Sequence, residues 1–303
     1  MEGCEGGMEV IRVRAGGSPA AIGRFEQLLK EAVERLHTPI KIQWNVTLIG
    51  QVTEITAYAT DHKPLVETIA SATAQYMMEM HEKDLVRSLI ADDYGYDEED
   101  ELAAIEAYCW HNPDPACEQE TDLGARKRLG LIQDEVTQYL EQHRLLHVEG
   151  FIRFRLHRYM EHLREIVEYA IDEYTADKQY EEFISLLKYF VYIQDAKIPV
   201  AHLIHKGAHE FVLLNDKMEP IETKQLDQFV VEMIDKEINY EDMIVSTLIT
   251  VSPQNVYIHT RNPEMQVIKT IRQIFEERAT VCTTCPRCIP LLGDCKRHDH
   301  YYR

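Results

Sequence analysis

No stretch of about eighteen apolar residues occurs in this 303-residue chain, so no segment reads as a membrane-crossing helix. The start, Met1 to Met8, is short and glycine-rich and lacks the basic and apolar regions of a secretory leader. Proline and glycine are sparse, at 11 and 13 residues, which excludes a low-complexity chain and points to an ordered globular body. Basic residues are also in deficit. Against 52 Asp and Glu stand only 32 Lys and Arg, for a formal net charge of -20. Such a surface repels polyanions, so nucleic acid and anionic membranes are disfavoured as partners, while a local basic site is still permitted.

The short catalytic signatures are missing too. There is no G-x-G-x-x-G, no P-loop and no G-x-S-x-G, and His81-Glu82 lacks the second histidine of a zinc-protease helix. No reaction is legible, and any catalytic set would have to be assembled by tertiary proximity. The seven cysteines suit a disulfide framework poorly; in a reducing compartment a clustered set reads as metal binding. A cytoplasmic protein is therefore expected.

What is present predicts an α+β fold in four regions. Residues 1–62 read as a small α/β layer. Glu9 to Arg14 alternates as an edge-like strand, a helix carries Ile22, Phe25, Leu28 and Leu29, and strands follow at Ile40–Ile49 and Val52–Ala59. On the first of these two strands Ile42, Trp44, Val46 and Leu48 would share one face. Residues 63–197 read as mainly helical. A long helix is expected over Leu65–Tyr94, then a short one over Glu101–Trp110, with a break at His111-Asn112-Pro113. The apolar series Ile152, Leu156, Tyr159, Leu163 and Ile166, followed by Tyr180, Phe183, Ile184, Leu187 and Phe190, predicts a helical pair turning near Asp177-Lys178. Residues 198–279 read as an antiparallel sheet with helices. Its strands are Val200–His205, Glu210–Leu214, Met243–Val251 and Val256–His259, and its helices Leu226–Ile238 and Met265–Phe275.

Residues 280–303 form a Cys-rich tail with the densest chemistry in the chain. Cys282, Cys285, Cys288 and Cys295 follow a C-x2-C-x2-C-x6-C spacing, and His298 and His300 come just after. Thiolates are soft charged ligands. The turn Cys285-Pro286-Arg287-Cys288 resembles a metal knuckle, with Cys282 and Cys295 able to complete a tetrahedron and His298 or His300 able to replace Cys295. Zinc is the expected cofactor, and it would fold a tail too small to hold itself together. A [4Fe-4S] cluster is the alternative, although the ferredoxin spacing and its following proline are absent.

A second constellation is basic. Between His143 and Arg164 lie five arginines and four histidines; Arg155, Arg158 and His162 fall three and four apart, so one helical edge would present them, with Arg153 nearby. This edge would take a small anionic ligand or an acidic protein partner. Equally, its arginines would be consumed by pairs such as Glu149 with Arg153 and Arg164 with Glu168. His202, His205 and His209 do not make a three-histidine site on the expected hairpin, because His205, opposite Ala208, and His209, opposite Ile204, would face opposite sides. Cys109, His111 and Cys117 are a weak ligand set in a proline-broken loop.

The segment Val148-Glu149-Gly150-Phe151-Ile152-Arg153-Phe154-Arg155-Leu156, with Leu186-Leu187-Lys188-Tyr189-Phe190-Val191, resembles the YtxC-like family of sporulation proteins from endospore-forming bacteria. So do Ser246-Thr247-Leu248-Ile249-Thr250, Val256-Tyr257-Ile258-His259, and the run from Ile274-Phe275 through Arg278 into Val281-Cys282 and Cys285-Pro286-Arg287-Cys288. The resemblance spans roughly Val148 to Cys288 and implies a cytosolic, sporulation-associated protein. It brings no catalytic residues. The reading it supports is a non-enzymatic binding or regulatory protein with a metal-stabilised tail. An iron-sulfur electron-transfer or redox-sensing protein, and a zinc-dependent nucleic-acid-binding protein using Lys296-Arg297, are the alternatives. An exposed Tyr/Phe face on the central helices would serve a homodimer.

Overall fold

Ile11, Val13 and Ala15 are the buried alternate positions of the first strand, β1 (Glu9–Ala15), and they fix which face of the N-terminal sheet meets the core. The computed structural model describes residues 8–36, 41–111, 120–207, 210–221, 240–286, 288–289 and 292. Two compact units divide the chain, Met1–Thr175 and Ala176–Arg303, and each is taken by itself. The fold is α+β: a small N-terminal sheet-and-helix layer, central helices, a C-terminal sheet and a Cys-rich tail.

In the first unit β1 pairs antiparallel with β3 (Val52–Ala59) and parallel with β4 (Leu145–His147), while β2 (Gln43–Ile49) lies outside β3. The strand order is β2-β3-β1-β4, so β1 is an interior strand rather than an edge. Its polar positions mislead because Arg14 has a partner inside the sheet: Arg14 Nε donates to buried Glu54 Oε2 at 2.7 Å. The edge strands are β2 and β4, and burial along the face expected on β2 fades toward its C-terminal end: Ile42 is buried, Trp44 is half-buried and Leu48 is 76% exposed.

Helix α1 (Pro19–Glu34) starts where Ser18 Oγ accepts the Ala21 N–H, with proline in the first turn, and buries Ile22, Phe25, Leu28 and Leu29. Helix α2 (His62–Tyr94) is capped by Asp61 and ends at Gly95, whose φ of 76° is the left-handed conformation glycine adopts without steric cost. Phe25 stacks on Tyr76 at 4.7 Å and joins the two helices. Helices α3 (Glu99–His111) and α4 (Glu120–Gln142) complete this layer.

The central helices differ from expectation. Helix α5 (Val148–Arg155) ends at Leu156, where ψ is 49°, and α6 (His157–Ile193) then runs unbroken through Asp177 and Lys178. Neither of those residues removes a backbone donor or favours a left-handed turn, so polarity alone does not stop the helix. The division between the two units falls within α6.

In the second unit β5 (Ile198–Gly207) and β6 (Glu210–Leu214) form the expected hairpin. Strand β7 (Pro253–His259) instead pairs parallel with β5, and β8 (Ala279–Cys282) pairs parallel with β7, giving the order β6-β5-β7-β8. Among the described strands of this unit only β5 and β6 pair antiparallel, with an isolated antiparallel bridge from Leu214 to Pro220 beside them. Residues expected as a strand at Met243–Val251 lie in helix α7 (Tyr240–Val251); Ile244, Val245, Leu248 and Val251 are buried on one helical face, and the first three pack into the core of this unit. Helix α8 (Gln266–Phe275) buries Val267, Ile268, Ile271, Ile274 and Phe275. The expected helix at Leu226–Ile238 lies outside the described residues. Among the described residues no helix is long and apolar enough to cross a membrane.

Candidate metal centre

Two parallel strands bring the first pair of donors together. In the β7–β8 ladder His259 is directly opposite Cys282, and the Thr260 N–H donates to the Cys282 carbonyl at 3.1 Å just beyond it. Both residues thus sit at the C-terminal ends of their strands. The chain then turns back through the knuckle. The N–H groups of Cys288 and Ile289 reach the Cys285 carbonyl at 3.2 and 3.1 Å, while the Cys285 N–H points at Cys288 Sγ at 3.2 Å.

The outcome is a four-donor cluster of His259, Cys282, Cys285 and Cys288, with ligand atoms all within 4.8 Å of one another. Donors around a tetrahedral zinc ion with Zn–S bonds near 2.3 Å lie about 3.7 Å apart, so closure on an ion needs a contraction of about 1 Å. Three soft sulfurs and one imidazole fit such an ion. Cys288 is fully buried, and Ile204, Leu214 and Leu292 pack around it as a small apolar shell that shields the cluster.

Electrostatics point the same way. Burial and the adjacent Cys285 and Cys288 push the Cys282 thiol up to about 11, so this thiol resists shedding its proton without a cation beside it. Burial, and next the neighbouring His202, lower the pKa of His259 and keep its ring in the neutral form a metal requires. His259 Nδ1 lies 3.9 Å from Cys285 Sγ, and its Nε2 lies 3.0 Å from His202 Nδ1. Strand β5 supplies His202, whose ring stacks between Tyr257 and His259 at 5.3 and 5.2 Å. His205 is directed elsewhere: it sits opposite Phe211, not Ala208, stacks on that ring and bonds Thr260 Oγ1 at 2.9 Å.

Of the four cysteines singled out from the sequence, three meet here; Cys295 lies outside the described residues, as do His298, His300, His209 and Cys117. His259 was missed as a donor. Its only sequence signal was a polar residue closing the apolar strand Val256-Tyr257-Ile258, and the pairing that aims it at Cys282 is not local. Cys109 is a half-buried thiol pushed up to about 11 by burial, next to Glu106.

The basic residues fall on two helices, with Arg158 and His162 four apart on the second. Because the chain breaks at Leu156, Arg153 and Arg155 belong to α5 and Arg158 to the first turn of α6. The Arg153 guanidinium lies over Phe154 at 5.5 Å and that of Arg155 over Tyr139 at 5.9 Å, while Arg158 is near Glu135. His162 meets Glu165 at 3.1 Å. The two expected i,i+4 pairs are replaced by others. Glu149 accepts the Gly16 N–H and meets His147, Arg164 pairs with Asp93 at 3.2 Å, and Glu168 accepts the Tyr94 hydroxyl.

The model of the YtxC-like family matches residues 67–280, and the chain belongs to that family. The matched span contains His259 and stops two residues before Cys282. It also starts well before Val148, where the resemblance read from the sequence began. The chain is 27% identical over 221 residues to the "Uncharacterized protein YtxC" of Bacillus subtilis (strain 168), covering 71% of this chain and 76% of the relative. No solved structure matches.

Proposed function

We propose that this is a binding or regulatory protein of the spore-forming cell whose C-terminal tail is pinned to its sheet by a zinc ion held by His259, Cys282, Cys285 and Cys288. The observation that carries the reading is the convergence of three sulfurs and one imidazole from β7, β8 and the knuckle. Cys3His is a closed structural donor set for zinc, with no position left open for substrate or water, which favours a folding role over a catalytic one. A [4Fe-4S] cluster takes four thiolates, and its fourth would have to be Cys295 in place of His259. When bound, zinc would supply cross-linking charge neutralisation. His259 would ligate through Nδ1 while its Nε2–H donates to His202, and the Cys285–Cys288 turn would present its two sulfurs together.

The test is elemental analysis with a visible spectrum on anaerobically purified full-length protein, beside a Cys282/Cys285/Cys288→Ser control. One zinc per chain in colourless protein, absent from the control, is the expected result. Iron with sulfide would support redox sensing instead, and metal-free protein would refute the reading.

Arg153, Arg155, Arg158 and His162 are proposed as the contact for an acidic protein partner or a small anionic ligand. What supports this is that, among the described residues, Arg153 and Arg155 lie against aromatic rings and in no ion pair. Phe154 between them is 64% exposed. Retention of the full chain on an acidic-peptide resin at low salt should fall at least tenfold in Arg153→Glu/Arg155→Glu protein with unchanged metal content. Equal retention would remove these residues from the site.

A further inference from the structure

The C-terminal half of α6 is apolar on two sides. Inward, Ile184, Leu187 and Val191 pack into the core of the second unit with Leu248 and Ile271. Outward, Phe183, Leu186, Tyr189, Phe190, Tyr192 and Ile193 are 55, 52, 60, 42, 85 and 53% exposed. At about 100° per residue these six side chains follow one another around roughly half the helix circumference. A helix apolar nearly all round is ordinarily covered on every side. With about 200 Å² on a typical large side chain, the outward face offers on the order of 700 Å². That exceeds the largest apolar patch of an ordinary monomer and approaches the roughly 800 Å² per partner of a stable interface.

We propose that this face is a homodimer interface in which α6 of one copy lies antiparallel on α6 of the other. Area is the first reason: one patch supplies nearly a full interface from a single copy, and a two-fold contact needs only that the patch complement itself. Charge is the second. Two copies that each carry -20 repel wherever carboxylates meet, and this stretch is free of them from Phe183 to Ile193. Lys188, the one charge within it, is directed off the face to Glu276 at 3.0 Å. Antiparallel pairing that sets Leu186 against Phe190 brings Phe183 against Ile193 and Glu182 against the neutral Gln194; Lys188 meets its own copy at the two-fold centre, each neutralised by its Glu276, and Glu181 and Asp195 are apposed only beyond the ends of the patch. An acidic partner gains nothing from so uncharged a face, and a basic one would find no counter-charge within it. The arrangement does not depend on the metal centre.

The experiment is sedimentation equilibrium of the full-length, metal-replete protein from 0.5 to 50 μM. Wild type is expected to be dimeric, with Leu186→Ala weakening the dimer about tenfold and Leu186→Glu/Phe190→Glu monomeric over the whole range. Metal content and helicity should be unchanged in both variants, since the substituted side chains already face solvent. Raising salt from 50 to 500 mM should tighten the wild-type dimer, because it screens repulsion between like-charged copies. A wild type that remains monomeric at 50 μM overturns the proposal and leaves the face to a different protein. A folded double-glutamate variant that still dimerises overturns it as well.

Discussion

His202 Nδ1 faces His259 Nε2 at 3.0 Å, so the imidazole that completes the thiol cluster is oriented by a second imidazole on the neighbouring strand. For His259 to ligate through Nδ1, its Nε2 must carry the proton, and His202 Nδ1 is the acceptor that holds it there. His202→Ala should weaken zinc binding about 10- to 100-fold in a chelator competition. His202→Asn, whose side-chain oxygen can occupy the acceptor position, should recover most of the loss. Equal affinity in all three proteins would show that the ring contact is packing alone.

Cys288 is fully buried in the apolar shell of Ile204, Leu214 and Leu292, so its replacement removes a ligand and opens a buried site together. Cys288→Ala should lose the bound metal and expose the tail after Cys282 to limited proteolysis, while the first unit melts as in wild type. Acidification should have a related effect. The Cys282 thiol is pushed up to about 11 by burial and its neighbouring sulfurs, so metal must displace protons to bind, and affinity falls as pH drops. A zinc indicator dye added along a titration from pH 8 to pH 5 reads that release; retention independent of pH would contradict thiolate ligation.

Arg128 and Tyr159 converge on one buried carboxylate. Arg128 Nε and the Tyr159 hydroxyl donate to Glu82 Oε1 at 2.6 and 2.9 Å, and the phenol is held protonated well above its usual range by burial and then by that carboxylate. Arg128→Ala strands a buried charge and should cost about 3–5 kcal/mol. Tyr159→Phe leaves the ion pair and should cost about 1–3 kcal/mol. Trp110, under the Arg128 guanidinium at 5.1 Å, is a local fluorescent reporter for denaturant unfolding of this unit. Equal losses in the two variants would mean that the ion pair adds nothing beyond the phenol hydrogen bond.

His81 gives the first unit a pH dependence of definite sign. Its buried Nε2 meets no partner and its ring stands edge-on to Tyr76 at 5.9 Å, so burial lowers its pKa below the ordinary 6.5, against the smaller opposing pull of Glu149 and Asp84. The unfolded chain therefore binds this proton more readily than the folded one. His81 costs no stability above pH 6.5, and stability is lost as pH falls from there toward the lowered folded value. Between pH 7 and pH 5.5 the unfolding midpoint should drop less in His81→Phe than in wild type; parallel drops would assign the acid sensitivity to other groups.

Local chemistry made much of this protein readable. The 3.6-residue period at Ile69, Ala72, Tyr76, Leu85 and Leu89 required a helix, and the close spacing of Cys285 and Cys288 required a turn that presents both sulfurs together, because each pattern is set by neighbours along the chain. The β-branched run Ile244 to Val251 also had a local preference, for strand, and there the core decided otherwise: as a helix it lays Ile244, Val245 and Leu248 on the second unit's apolar cluster. Asp177 and Lys178 looked like a turn and lie inside a continuous helix, since charge marks exposure rather than backbone conformation. The sequence by itself determined the α+β class, the family and the three cysteines of the His/Cys cluster. Tertiary structure alone decided the fourth member, because His259 reaches the sulfurs only through the parallel pairing of β7 with β8, a long-range contact that no residue spacing encodes.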